Sequence, residues 1–369
     1  MKKKTLNVLL CSLVIWSLTG LTFAESAEIQ KDNDVLVKQA LRSYFNQLAK
    51  RESFSGSVLI AREGKFLLKE GYGIANYNTG QPNRPSTVFA IASFTKAFTA
   101  MSVMILEERG LISVNDTVAD YISGFPNGGR ITIDHLLSHT SGLYDFLSNP
   151  SLWENKDSFH LPEQLLQYFM NEPLNFEPGT QFEYSNSNYI TLGNIIERVS
   201  GMSFRDFIKD NILEPLNMRH TSYDPYEADF PRKAVGYDDL EPPVEAMYFN
   251  SSIPYSAGAM RSTAMDLYKW DQALYTEQLV SAATRERMFT PGLGDYGYGW
   301  YIDNLDVNGE MHKQIWHWGS YFGFHSYIAR LVDDEVTIII LRNTPQVTAD
   351  PQELRPIVEE AAVIIFENR

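Results

Sequence analysis

Residues Ala90–Gly110 read AIASFTKAFTAMSVMILEERG, the stretch on which the interpretation of this sequence depends. Apolar residues would lie on every side of a helix here, and strong polarity returns only at Glu107–Arg109. The pattern predicts a helix that is buried all round and ends at the glycine. Lys96 nevertheless lies within it. An unpartnered buried ammonium costs several kcal/mol, so this lysine either reaches solvent from the first turn or belongs to a functional site.

Ser93 precedes Lys96 by one helical turn, in the pattern S-x-x-K. Residues three apart share a helix face, so we expect the hydroxyl and the amine side by side. The helix N-terminus also favours developing negative charge. Because burial lowers the pKa of a lysine toward neutrality, Lys96 would be able to take the proton of Ser93. The alternative is coincidence, since about one S-x-x-K is expected by chance in a chain of this length.

A second pattern lies downstream in QFEYSNSNYITLG, which contains Tyr184-Ser185-Asn186. Tyr184 offers a phenol that can share in proton transfer, and Asn186 offers an amide that can bind a substrate carbonyl or hold the lysine. The Y-x-N spacing alone is weakly specific. It recurs at Tyr44 and Tyr248, where we expect a structural role.

A third pattern is His317-Trp318-Gly319-Ser320, on a predicted strand. Gly319 would let a substrate approach the strand backbone closely. The backbone N–H of Ser320 would supply half of an oxyanion hole, with the N–H of Ser93 as the other half.

The ordered set S-x-x-K, Y-S-N and H-x-G resembles the penicillin-recognising serine hydrolases. The similarity is to the branch with class C β-lactamases, D-alanyl-D-alanine carboxypeptidases, D-aminopeptidases and related esterases. It extends from about residue 54 to residue 341, and its supporting segments are GYGIAN at 71–76, LLSHTSGL at 136–143 and YSAGAMRSTAMDLYKW at 255–270.

This resemblance implies a role for each matching residue. Ser93 would be the nucleophile that forms an acyl-enzyme, and Lys96 and Tyr184 would exchange protons with it, with their division of the base role left open. Asn186 would bind the substrate amide. His317 stands where many relatives carry lysine, and it would face a substrate carboxylate or polarise Tyr184, with a charge that depends on pH near about 6.5.

Trp318 is a departure from the family pattern, because relatives commonly have a threonine there that binds the substrate carboxylate. Tyr321, Phe322 and Phe324 follow closely. We therefore expect a pocket that prefers hydrophobic esters or amides to penicillins. The alternative is ordinary core packing, which we favour for Phe324.

Strand and helix patterns predict an α/β (α+β) fold of the β-lactamase/transpeptidase type. The two strands of GSVLIAREGKFLLKEGYG turn at Glu63-Gly64, and strand patterns return in YGYGWYI, QIWHWG, FHSYIARL and VTIIIL. Helical patterns cover residues 32–51 and 351–369. The prediction is an antiparallel sheet flanked by these terminal helices, with a large helical region inserted, in one serine hydrolase domain over residues 25–369. The site is expected in the cleft between the two parts.

Residues 1–24 have the features of an export signal. A basic start at Lys2–Lys4 precedes an apolar stretch, and Thr22 and Ala24 are small residues before a cleavage site. We expect a secreted or extracytoplasmic protein. The alternative is an uncleaved membrane anchor, because the stretch approaches the roughly 20 apolar residues that span a bilayer. The only cysteine, Cys11, lies in this segment, so the remainder can form no disulfide.

Several other functions are not expected. The net charge of −15 repels phosphate backbones and argues against nucleic-acid binding. His135 and His139 are four apart, but no glutamate follows the first, so we assign them structural capping or packing roles, with no metal or cofactor. Asp266 and Asp271 are interpreted as helix-end and surface acids.

Two function classes remain. The first is an exported serine hydrolase acting through Ser93 on D-amino-acid-containing peptides or on related amides and esters. The second is a low-turnover binding or sensor homologue for cell-wall peptides or β-lactams. The combination of Ser93, Lys96 and Tyr184 favours chemistry, because a binding module has no need of a buried lysine.

Overall fold

A computed structural model describes residues 33–50, 54–223, 232–344 and 353–367. The proposed signal of residues 1–24, with Cys11, lies outside the described residues. Within the described ranges, every helix is too short or too polar to cross a bilayer.

The strands and helices are numbered in chain order. The strands are β1 (Gly56–Arg62), β2 (Lys65–Tyr72), β3 (Ile74–Asn76), β4 (Gln81–Pro82), β5 (Phe89–Ala90), β6 (Ser222–Tyr223), β7 (Tyr237–Leu240), β8 (Pro243–Glu245), β9 (Met260–Ser262), β10 (Tyr301–Val307), β11 (Glu310–Tyr321), β12 (Phe324–Leu331) and β13 (Val336–Arg342). The helices are α1 (33–50), α2 (Thr95–Glu108), α3 (Val118–Tyr121), α4 (Ile133–Leu137), α5 (Pro150–Glu154), α6 (Pro162–Leu166), α7 (Asn186–Ser200), α8 (Phe204–Ile208), α9 (Tyr255–Gly258), α10 (Ala264–Ala273), α11 (Ala282–Met288) and α12 (Arg355–Glu367).

The main sheet has six antiparallel strands in the order β10-β11-β12-β13-β1-β2. Strands from both ends of the chain meet where β1 pairs with β13. The helices α2 to α11 come from the sequence between β2 and β10. The predicted antiparallel sheet with terminal helices and an inserted helical region is therefore confirmed.

Side-chain alternation along β1 explains why the sheet is covered on both faces. Val58 and Ile60 share a core with the terminal helices α1 and α12, whereas Leu59 and Ala61 belong to the core that contains α2. Successive side chains of a strand point to opposite faces, so a strand that is apolar throughout must be covered twice. All seven residues of β1 are buried.

Two predicted elements differ from the structure. The helix expected from Ala90 begins at Thr95, because β5 and a 3-10 turn over Ala92–Phe94 precede it. The strand expected from Tyr296 begins at Tyr301. The intervening loop turns at Gly299, whose φ of +80° suits glycine, and an added Cβ there would crowd the backbone of α2.

Asp266 and Asp271 are buried, so their interpretation as surface acids is wrong. Asp266 lies in the first turn of α10 and accepts hydrogen bonds from the N–H of His220 and from the Lys269 amine. Asp271 accepts from Arg330 Nε and Thr337 Oγ1, both at 2.6 Å. The hydrogen bonds of Asp271 with Arg330 and Thr337 join α10 to β12 and β13.

Removal of the Asp271 carboxylate should destabilise the fold strongly, because it leaves the buried Arg330 guanidinium without its counter-charge. We expect Asp271→Ala to lower the free energy of unfolding by about 3–5 kcal/mol in urea denaturation. Glu214→Ala is the control, because its ion pair with Lys209 is exposed and should contribute about 1 kcal/mol or less. Equal effects of the two variants would contradict this account.

Candidate active site

Ser93 lies in the 3-10 turn that joins β5 to α2. Ala92, the residue before it, has a φ of +49°, a conformation that costs an alanine free energy and persists only where the surroundings impose it. Ser93 is half-buried and the turn packs against β11. The fold therefore presents the hydroxyl at the entrance of the helix and partly open to solvent.

Lys96 lies in the first turn of α2 and is fully buried. Its Nζ donates to Asn186 Oδ1 at 2.9 Å and to the carbonyl of Ala257 at 2.8 Å. The amine also lies 4.8 Å from the centre of the Tyr184 ring. Burial lowers the pKa of Lys96 to about 7, with an opposing contribution from the negative charge of Asp145.

Tyr184 precedes α7, and its hydroxyl is buried. Burial raises the pKa of this phenol well above its ordinary value, and the nearby Ser93 hydroxyl partly opposes the shift. The Tyr184 and Ser93 hydroxyl groups do not form a hydrogen bond of standard geometry. No other described residue forms a hydrogen bond with the Tyr184 oxygen. Tyr184 is therefore a protonated phenol that lies near both the hydroxyl of Ser93 and the amine of Lys96.

Asn186, the first residue of α7, connects the lysine to an acid. Its Oδ1 accepts from Lys96 and its Nδ2 donates to Asp145 Oδ2 at 2.9 Å. Both ends of the amide are thus engaged, which supports its role in holding the lysine; Asn186 also lines the neighbouring cleft. Burial raises the pKa of the Asp145 carboxyl. Sequence reasoning missed Asp145, whose only signal is its place two residues after LLSHTSGL.

His135 and His139 have the structural roles assigned to them. The Nδ1 atom of His135 accepts from the N–H of Thr132 at the start of α4. The ring of His139 packs on that of Tyr184 with centroids 4.3 Å apart, and its Nδ1 accepts from the N–H of Ser185. His139 therefore fixes the position of the phenol. No three His, Cys, Asp or Glu residues in the described part of the chain are grouped to hold a metal ion.

His317 is fully buried beside the site, and the prediction that its charge changes near neutral pH is wrong. Nδ1 lies 2.6 Å from the carbonyl of Trp318, to which it donates, and Nε2 lies 3.1 Å from the Tyr296 hydroxyl, from which it accepts. Burial lowers the pKa of His317 to about 3, and the charge of Lys96 adds to the effect. The imidazole is neutral and is not part of the cleft lining, so it does not face a substrate carboxylate.

Gly319 has a different role from the predicted one. A Cβ at this position would collide with the carbonyl oxygen of Ile91 and lie 2.9 Å from the Cβ of Ala92. The glycine therefore lets the turn that carries Ser93 approach β11. The sequence pattern had predicted that a substrate would approach the strand at this point. Ser320, the next residue, lines the same cleft as Ser93.

The cleft beside Ser93 has a volume of about 340 Å³. Tyr321 and Phe322 line it as expected, and Phe324 is buried in the core, also as expected. Trp318 does not line it; its half-buried ring stacks at 6.5 Å from that of Tyr184. Other aromatic lining residues come from the helical region: Phe146, Trp153 and Phe249.

Comparison with known proteins identifies relatives over most of the chain. The sequence profile of the Beta-lactamase family matches residues 41–363. Penicillin-binding protein 4* of Bacillus subtilis is 32% identical over 356 residues, which cover 89% of this chain and 76% of that protein. A penicillin-binding protein from Bacillus halodurans superposes with a TM-score of 0.74 at 27% identity, covering 85% of this chain and 98% of that one.

A further structural neighbour shows the shared fold alone. It is the D-amino acid amidase from Ochrobactrum anthropi SV3, solved with L-phenylalanine. Its TM-score is 0.75 at 22% identity, and the alignment covers 91% of this chain and 98% of the amidase.

The close approach at Gly319 yields a test of how the site is positioned. We expect Gly319→Ala to push the Ser93 turn away from β11 and to lower the rate of acylation by a fluorophosphonate about a hundredfold, the scale expected for a displacement of about 1 Å. Gly129→Ala is the matched control, because nothing lies within 4 Å of its added Cβ. Unchanged acylation in a folded Gly319→Ala protein would contradict the assigned role.

Proposed function

Because this chain belongs to the beta-lactamase family of serine hydrolases, we propose that it hydrolyses amide or ester bonds of D-amino-acid-containing peptides or related compounds through an acyl-enzyme on Ser93. The observation that carries the proposal is the state of Lys96. Its amine is buried one turn after Ser93 and has a pKa of about 7. In a substantial fraction of the molecules the Lys96 amine is therefore neutral at physiological pH and able to accept a proton.

Acylation follows from these positions. The Ser93 oxygen attacks the carbonyl carbon of the substrate while its proton passes to Lys96, directly or through the phenol of Tyr184. Tyr184 does not serve as a resident phenolate, because its pKa is raised well above the ordinary value. The negative charge that develops on the carbonyl oxygen would be stabilised by the N–H groups of Ser93 and Ser320.

Collapse of the tetrahedral intermediate breaks the amide or ester bond, and the proton held by Lys96 returns to the leaving group. Water then attacks the acyl-enzyme, and the same groups transfer its proton to the Ser93 oxygen. The acid is released and Ser93 is regenerated. Asn186 keeps the amine of Lys96 in place through both steps, since it accepts a hydrogen bond from Nζ.

We also infer that the protein is exported. The basic start, the apolar stretch and the small residues Thr22 and Ala24 support this inference. Substrates outside the cytoplasm would then be accessible to the enzyme.

Substitution of the nucleophile is the direct test. Ser93→Ala should lose labelling by a fluorescent fluorophosphonate and should lower hydrolysis of p-nitrophenyl esters by at least about a thousandfold, because it removes the oxygen to which the acyl group is attached. Ser158→Ala, which removes an exposed hydroxyl elsewhere, should leave both unchanged. Equal labelling of wild-type and Ser93→Ala proteins would rule out Ser93 as nucleophile.

The pH dependence of acylation tests the role of the amine. Only the neutral amine accepts a proton, so the rate constant should rise with pH and reach half its plateau near pH 7, the pKa of Lys96. Four neighbouring groups titrate elsewhere, because burial lowers the pKa of His139 and of His317 and raises those of Tyr184 and Tyr189; burial also raises the pKa of the Asp145 carboxyl.

His317→Gln is the control variant for this profile, because the wild-type imidazole, with a pKa of about 3, does not titrate near pH 7. Its midpoint should match that of the wild type in stopped-flow acylation measurements. A flat wild-type profile between pH 5 and pH 9 would exclude Lys96 as the proton acceptor.

A further inference from the structure

The cleft beside Ser93 contains no positive side chain among the described residues that line it. Lys96 lies behind it, fully buried and hydrogen-bonded to Asn186. A substrate carboxylate would therefore meet no lysine or arginine among the described residues that line this cleft.

The two histidines at the site do not replace the missing charge. His317 is neutral behind the cleft, as described above. His325 lines the cleft but is largely buried, and burial together with the charge of Arg342 lowers its pKa to about 3. The Nδ1 atom of His325 has no hydrogen-bond partner among the described residues. The neutral ring carries no charge that would attract an anion.

A negative charge lies in the same lining. Asp238, on β7, is exposed and lines the cleft, and its carboxylate accepts a hydrogen bond from the N–H of Met247 at 3.2 Å. The adjacent Asp239 follows it along the strand and is not part of the lining. The Asp238 carboxylate contributes a negative potential to this part of the lining, which disfavours anions and favours amines nearby.

The rest of the wall is aromatic. Phe249 packs against Trp153, Tyr321 and Phe322, with ring centroids between 5.2 and 6.2 Å apart. The Tyr321 hydroxyl donates to the carbonyl of Phe249 at 2.6 Å, which fixes this group of rings. An apolar or aromatic substrate group would bury its surface here.

We propose that this cleft selects amides and esters whose acyl part is aromatic and carries no carboxylate, with Asp238 as the residue that discriminates by charge. This inference rests on the proposed function and narrows it: substrates whose acyl part carries a free amine or no charge are accepted, and those whose acyl part carries a carboxylate are disfavoured.

Three esters with the same aromatic acyl group test this selectivity. They are the p-nitrophenyl esters of N-acetyl-D-phenylalanine, which is neutral, N-succinyl-D-phenylalanine, which carries a carboxylate, and D-phenylalanine, which carries an ammonium. Each kcat/KM is divided by the rate of spontaneous hydrolysis of the same ester. In low salt the neutral ester should exceed the carboxylate ester by about five- to tenfold, and the ammonium ester should equal or exceed the neutral one.

The variants identify the source of the discrimination. Asp238→Asn keeps the acceptor for Met247 and removes the charge, so the ratio between neutral and carboxylate esters should fall to about twofold or less. Asp239→Asn removes the same charge one residue away, outside the lining, and should retain the wild-type ratio. Equal kcat/KM for the three esters, or a ratio unchanged by Asp238→Asn, would overturn the inference.

Failure of the inference is distinguishable from failure of the proposed function. Turnover of the esters that persists in Ser93→Ala would overturn the proposed function. Ser93-dependent fluorophosphonate labelling without turnover of any of the three aromatic esters would overturn the inferred substrate class alone.

Discussion

The desolvation of one ammonium group is the constraint on which this site depends. Water would keep Lys96 protonated, and a protonated lysine cannot accept the proton of Ser93. The fold removes that water by enclosing the amine between α2, α7 and the Ala257 carbonyl, beneath the ring of Tyr184. The partners are mainly neutral, because a close, fully charged acid would restore the ordinary pKa.

The remainder of the fold holds this enclosure in position. The terminal helices cover one face of the sheet, which makes β11 a fixed surface for the turn that carries Ser93. Gly319 permits the approach of that turn, and Gly299 permits the loop before β10 to lie against α2 beside Lys96. Two glycines on separate segments thus permit close packing against the Ser93 turn and the start of α2, and Ala92, which has a positive φ, lies at the contact with Gly319.

The sequence predicted the sheet, the terminal helices and the burial of Lys96, because apolar periodicity reports local elements and the faces they bury. It did not predict the neutral state of His317 or the part played by Asp145. The first depends on burial of the histidine within the folded chain and on the charge of Lys96, and the second on Asn186, which lies 41 residues after the acid. The helix start was placed five residues early for the same reason. No local pattern indicates that an alanine is held at positive φ by a strand more than 200 residues away.

The ability of Lys96 to accept a proton depends on the presence of an amide, and not a carboxylate, at position 186. Its oxygen faces a base and its nitrogen faces an acid, so the base and the acid are linked without any net charge between them. An aspartate at position 186, in which an oxygen replaces the amide NH2 group, would hold the lysine in its protonated form and repel Asp145. The pocket would keep its shape and its aromatic wall yet lose its proton acceptor.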